Sequence, residues 1–105
     1  MRKDIHSESV NKLFDAVLSL EDREECYAFF SDICTINELF SLAQRFDVGT
    51  RLLSGETYQE IAKSTGASTA TISRVNRLLG DGQDGLETAA EKIGAIKEVK
   101  NRRKS

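Results

Sequence analysis

The chain has 105 residues, 39% hydrophobic and 30% charged, enough for one domain with a modest core and too few for two. It contains no proline, and its apolar residues recur at spacings of three and four rather than two, so the expected fold class is all-α with no strand. A formal net charge of −2 excludes a uniformly basic binder, no apolar run approaches the roughly 18 to 20 residues of a membrane span, and two cysteines and one histidine form no zinc spacing or disulfide framework. With no signal peptide evident, the expectation is a cytoplasmic protein with no membrane partner and no metal, in which Cys26 and Cys34 are reduced core or boundary residues.

In chain order, Val10, Leu13, Phe14, Val17, Leu18 and Leu20 trace an amphipathic first helix from about Glu8 to Leu20. A second helix, about Asp22 to Ile33, starts with Asp22, Glu24 and Glu25 at the positive end of its dipole and is expected to bury Cys26, Phe29, Phe30 and Ile33. Thr35-Ile36-Asn37-Glu38 has the spacing of a capping box, in which hydroxyl and carboxylate satisfy two free backbone donors at the start of a third helix. That helix should run to Leu53 and end at Gly55, burying Leu39, Phe40, Leu42, Ala43, Phe46, Leu52 and Leu53 and exposing Gln44, Arg45, Asp47 and Arg51.

Residues 57–79, TYQEIAKSTGASTATISRVNRLL, carry the strongest functional signal. A short helix from Tyr58 to about Ser64, a turn at Gly66 and a second helix after Ser68 or Thr69 give a bihelical corner. Ile61, Ala62, Thr65, Ala67, Ile72 and Val75 fall where its two helices must touch. Gly66 suits the positive φ that commonly ends a helix, and Ser68 or Thr69 can cap the next one. Ile72, Val75 and Leu79 then face inward, leaving a polar outer face, small at its start and cationic further along. Such a face suits a DNA major groove. Thr69, Ala70, Ser73 and Asn76 are candidates for reading bases, Tyr58, Gln59, Lys63, Arg74 and Arg77 for phosphates, and Ser68 and Thr71 complete the candidate DNA-binding set.

The glycines at positions 80, 82 and 85 are read as a break, followed by a last helix from Leu86 to about Val99 with Leu86, Ala89, Ala90, Ile93, Ile96 and Val99 on one side. The expected architecture is therefore five to six helices in a single domain. It comprises N-terminal helices over 1–34, a central helix over 35–55, the helix-turn-helix over 57–79, a C-terminal helix over 86–99 and a basic tail over 100–105. Charge is graded along it, from a net −3 over residues 1–30 to +5 over 92–105. The tail reads either as a solvated end or as an arm toward phosphates. The stripes of the first two helices and the last pack either on one another or on a second copy. A homodimer would present two reading helices to half-sites about 34 Å apart, as helix-turn-helix dimers do.

The small helical length, Glu38-Leu39 through Leu53-Ser54-Gly55-Glu56, and then Ala70-Thr71-Ile72-Ser73-Arg74 together resemble the Trp repressor family over about Thr35 to Leu79. The resemblance implies an intertwined all-helical homodimer whose N-terminal helices, 1–34, form a shared core. It also implies a corepressor site between the third helix and the reading helix, with Arg45, Arg74 and Thr35 at the positions that hold tryptophan. A guanidinium can pair with a carboxylate and stack on a ring, although Arg45 and Arg74 read equally as a solvated charge and a phosphate contact. Where the family has a glycine and a serine beside the ligand, this chain has Val75 and Leu78, and the first helix of its helix-turn-helix is one residue shorter; tryptophan is therefore not assigned.

The expected function is a sequence-specific DNA-binding transcriptional regulator, a repressor by analogy. Its partners are double-stranded DNA and a second copy of the chain, with a small-molecule corepressor as the one ligand class implied. The alternative is a helix-turn-helix module that contacts protein instead of DNA. No paired carboxylate, nucleophile with base, or phosphate loop stands out, so the chain is not expected to be an enzyme.

Overall fold

The computed structural model describes residues 4–96, which form six helices and no strand. These are α1 (Glu8–Leu18), α2 (Arg23–Ile33), α3 (Ile36–Leu53), α4 (Tyr58–Thr65), α5 (Thr69–Asp81) and α6 (Gly85–Lys92). The chain divides into two compact units, Met1–Leu39 and Phe40–Ser105.

In the first unit, Ser7 caps α1 by accepting from the Val10 N–H. The helix stops short of Leu20 because the Ser19 hydroxyl turns back onto the Ala16 carbonyl at 2.6 Å and satisfies a last-turn acceptor. Asp22 lies outside α2 as its cap, accepting from the Glu25 N–H at 2.9 Å, while the Glu25 carboxylate accepts from the Glu21 N–H at 3.0 Å. The capping box that opens α3 forms as its spacing predicts: Thr35 N–H donates to Glu38 Oε1 at 2.8 Å and Glu38 N–H donates to Thr35 Oγ1 at 3.1 Å.

No residue of α1 or α2 is buried. Phe29 and Phe30 are half-buried, edge to face at 5.2 Å, but Cys26 is exposed and Ile33 is 50% exposed, contrary to the expected inward face. Leu13, Phe14, Leu18, Tyr27 and Ile36 are also exposed, since no described segment of the chain covers the stripe they form.

The second unit holds the dry cores. Val48, Ile61, Ala67, Ile72 and Val75 form one, with Leu52, Tyr58, Ala62 and Leu79 packed around it. Leu53, Ala90 and Ile96 form another, flanked by Phe46, Leu79 and Leu86. The buried side of α3 differs from the expected arc: Phe40, Leu42 and Ala43 are exposed, while Val48, Gly49, Thr50 and Leu53 are buried. Gly49 lies against α6 on this side: a Cβ there would stand 2.6 Å from Leu86 Cδ1, so any side chain at 49 would require Leu86 to move. Thr50 is buried without a stranded polar atom, its hydroxyl donating to the Asp47 carbonyl at 2.8 Å.

Two boundaries are corrected. α5 continues through Gly80 and Asp81 and ends at Gly82, since one glycine costs a helix only about 1 kcal/mol and does not forbid it. α6 ends at Lys92 rather than near Val99, because Gly94 turns left-handed (φ +76°) and Ala95 N–H closes onto the Ala90 carbonyl at 2.8 Å. Ala90 and Ile96 are buried but Ala89 and Ile93 are exposed, so the expected one-sided stripe is not a continuous helical face. Val99 and the basic tail, 100–105, lie outside the described residues.

Candidate nucleic-acid interface

The sequence places a capping signal at each end of the turn between α4 and α5, and the local geometry follows. Gly66 adopts φ +77° and its N–H donates to the Ala62 carbonyl at 2.9 Å, ending α4. Thr65 Oγ1 donates to the Ile61 carbonyl and accepts from the Ala67 N–H, bracing the turn from inside. Ser68, rather than Thr69, is the cap of α5, accepting from the Thr71 N–H at 3.1 Å. A second capping box, not anticipated, opens α4: Thr57 N–H donates to Glu60 Oε1 at 2.8 Å and Glu60 N–H donates to Thr57 Oγ1 at 3.1 Å. The Thr-x-x-Glu spacing at 57–60 was its available signal, identical to the one at 35–38.

Behind this frame Ile61 and Ile72 are fully buried, which fixes the angle at which α5 is held on α4. On the outer side of α5, Thr69, Ala70, Arg74, Asn76 and Arg77 are exposed, and Ser73 and Thr71 are half-buried. Helical spacing puts Thr69, Ser73, Asn76 and Arg77 along one strip and Ala70, Arg74 and Arg77 along its neighbour. The Ser68 hydroxyl also donates to Thr71 Oγ1 at 3.1 Å, so these two side chains are engaged with the helix start itself. On α4, Gln59 and Lys63 are exposed, while Tyr58 is half-buried against the core.

The electrostatics of the six described helices single out α5. Each of the others has an acidic residue in its first turn; α5 has none. An acid there would favour the helix by about 0.3–1 kcal/mol and would also repel a phosphate, so its omission leaves the positive end of the α5 dipole open to an anion. Lys63, Arg74 and Arg77 form no ion pair with a described acid. Arg51 differs: it donates to Asp47 at 3.1 Å and to Glu56 at 3.3 Å, and these bonds, the Asp47 one foremost, hold its guanidinium still more firmly protonated than usual.

The residues expected around a small ligand are only partly brought together. A cavity of about 360 Å³ opens between α3, α5, the 82–85 loop and α6, with Leu42, Arg45, Phe46, Val75, Leu78 and Leu86 among its walls. Arg45 is therefore at the cavity, whereas Arg74 is exposed on α5 and does not line it. Val75 and Leu78 form part of the wall without closing the space. Thr35 lies in the other unit, where its hydroxyl serves the α3 capping box. Among the described residues no group of His, Cys, Asp and Glu is arranged to hold a metal ion, and no helix is long and apolar enough to cross a membrane.

The YerC protein of Bacillus subtilis strain 168, itself uncharacterised, is 52% identical over 89 residues, covering 85% of this chain and 86% of YerC. The crystal structure of a TrpR-like protein from Eubacterium eligens matches with a TM-score of 0.82 at 52% identity, over 88% of this chain and 95% of that one. A Staphylococcus aureus relative matches with a TM-score of 0.81 at 47% identity, over 86% and 90% of the two chains. The profile of the Trp repressor protein family spans residues 8–93, taking in all of α1 through α6, and on that match the chain belongs to the Trp repressor family.

Proposed function

We propose that this protein is a sequence-specific transcriptional regulator, a repressor by kinship, that enters the DNA major groove with α5 and works in the cytoplasm as a homodimer. The observation that carries the reading is the acid-free start of α5, capped by Ser68 and held out from a dry core with Thr69, Ala70, Asn76 and Arg77 on its exposed side. Thr69, Ala70, Ser73 and Asn76 take the base-reading role, and Gln59, Lys63, Arg74 and Arg77, with Tyr58, set the register on phosphates. Ser68 and Thr71 contribute by fixing the start of the helix. The unburied apolar stripes of α1 and α2 support the homodimer, since a second copy offers each stripe a partner of the same kind.

The cavity beside Arg45 supports control by a small ligand. Its volume is within the usual range for small-molecule sites, its walls are largely apolar, and one guanidinium is available for an anionic group. Kinship also suggests Arg74 and Thr35, but neither is among the residues lining this cavity. Val75 and Leu78 reshape the wall enough that the ligand is expected to differ from tryptophan.

The test is a pair of substitutions. Arg77→Ala should weaken binding to all duplexes similarly and flatten the slope of log K against log salt by about 0.9, whereas Thr69→Ala should change base preference. Equal effects of both on specific and random DNA would sink the assignment of roles. The alternative, a protein-binding corner, gains ground only if no duplex binds more tightly than the roughly 10⁻⁴ to 10⁻⁶ M of non-specific contact.

A further inference from the structure

The helix-turn-helix is joined to α3 by Ser54, Gly55, Glu56 and Thr57, a connection with little packing of its own. Ser54 and Thr57 are exposed, and Gly55 is left-handed (φ +89°) with open space where a Cβ would stand. α3 meets the corner through apolar side chains, Val48 and Leu52 in one core and Leu53 in the other. Apolar contact carries little directional preference, so a further element is needed to fix the angle between them.

Arg51, in the last turn of α3, supplies it. Its Nε donates to Asp47 Oδ1 at 3.1 Å, one helical turn back, and its Nη1 donates to both carboxylate oxygens of Glu56 at 3.3 Å, across the turn. The Arg51 carbonyl also accepts from the Glu56 N–H at 3.1 Å, so one residue holds Glu56 by main chain and side chain together. A guanidinium is planar and its donors keep a fixed relation to one another, so two carboxylates bound to it define an orientation as well as an attraction. Glu56 immediately precedes Thr57, the cap of α4. Holding Glu56 therefore holds the start of α4, and the packing of Ile61 with Ile72 carries that placement on to α5.

We infer that Arg51, bound to Asp47 and Glu56, is a positioning residue for base reading: it holds the α4–α5 corner at the angle to α3 that specific contacts require. This rests on the DNA-binding reading above. Hydrogen bonds to base edges need placement to within about 0.5 Å and 10–20°, whereas a phosphate accepts a cation from many directions. In the proposed homodimer two reading helices must also meet half-sites about 34 Å apart, so an error in this angle enters twice. A loosened corner thus loses specific affinity first and general affinity for DNA last.

The experiment compares the unmodified full chain with Arg51→Gln, Glu56→Gln and the combined variant, well below their thermal midpoints. The probes are the duplex that the unmodified chain enriches most from a randomised pool and a random-sequence duplex of the same length. The readout is the ratio of the two affinities, in which the sequence-independent effect of changing a charge cancels. Arg51→Gln breaks both pairs and should lower the ratio by about 3- to 10-fold for each chain bound; Glu56→Gln breaks one and should lower it by about 2- to 5-fold. The combined variant should fall no lower than Arg51→Gln alone, because the second substitution finds no pair left to break. The thermal midpoint should drop by no more than about 4 °C in each. An unaltered ratio, with or without a lowered midpoint, overturns the inference and leaves the DNA-binding reading intact. Additive losses overturn it as well, since Arg51 and Glu56 then act separately. If the unmodified chain enriches no duplex, the DNA-binding reading fails and the positioning role with it.

Discussion

In α4 and α5, Ile61 and Ile72 are fully buried, whereas in α1 and α2 not one residue is, although Leu13, Phe14 and Leu18 follow the same spacing of three and four. Amphipathic patterning is thus common to both regions, and what differs is whether the chain itself supplies the facing surface. The Phe40–Ser105 unit closes its cores with Val48, Ala67, Val75 and Ala90 from four separate segments. Among the described residues, the Met1–Leu39 unit has no equivalent, and leaves Leu18 81% and Phe14 52% exposed. A helix pattern therefore specifies that a face will be covered and is silent about whose residues cover it. In the dimeric regulator we propose, that division is functional: one region would carry the reading helix on a self-contained core and the other would serve assembly.

The largest effect that tests this contrast is expected at Leu18. Burying a leucine is worth roughly 1.5–3 kcal/mol, and a symmetric interface contains each residue twice, so Leu18→Ser should weaken the dimer by about 10²- to 10⁴-fold in sedimentation equilibrium. A chain that is monomeric at micromolar concentration before any substitution would break the comparison outright. Next is Ile72→Ala, which removes a fully buried side chain between α4 and α5. It should cost about 2–5 kcal/mol, lowering the thermal midpoint by at least about 8 °C at fixed chain concentration. A loss no larger than that of an exposed leucine in α1 would show that the two regions are not packed differently after all.

How far the sequence can be read follows the same line. Features set within one turn were legible: the Thr35–Glu38 capping box, the left-handed Gly66 and the cap before α5 each depend on residues at most four apart. The outward face of α5 was legible too, because Ile72, Val75 and Leu79 mark the opposite side. The buried side of α3 was not, since it includes Gly49, a residue with no hydrophobic signal that packs against Leu86 from 37 positions away. Nor was the cavity, whose walls come from α3, α5 and α6 and exist only once those are packed. The resemblance to the Trp repressor family also grouped Arg45, Arg74 and Thr35 in one ligand set, yet of these only Arg45 borders the cavity.

The smallest effect is the most discriminating, because the two regions contain matched devices. The boxes at Thr35–Glu38 and Thr57–Glu60 have the same pair of distances, 2.8 and 3.1 Å, so the intrinsic cost of removing either hydroxyl is the same, about 1 kcal/mol. What the cost is charged against differs. α4 is anchored by Ile61 within a core that one chain completes, so Thr57→Ala should lower the thermal midpoint by about 4–8 °C and leave the dimer dissociation constant where it was. Thr35 opens α3 in the region whose apolar faces no described residue covers, with Ile36 beside it 74% exposed. With the proposed dimer ordering that helix start, the loss is counted once in each chain, so Thr35→Ala should raise the dissociation constant by about 30-fold. Thr→Ser at either site keeps the acceptor and should restore most of the loss. If both alanine variants shift the midpoint equally and neither shifts the dissociation constant, the N-terminal region orders itself without a partner, and its exposed stripe must serve something other than pairing.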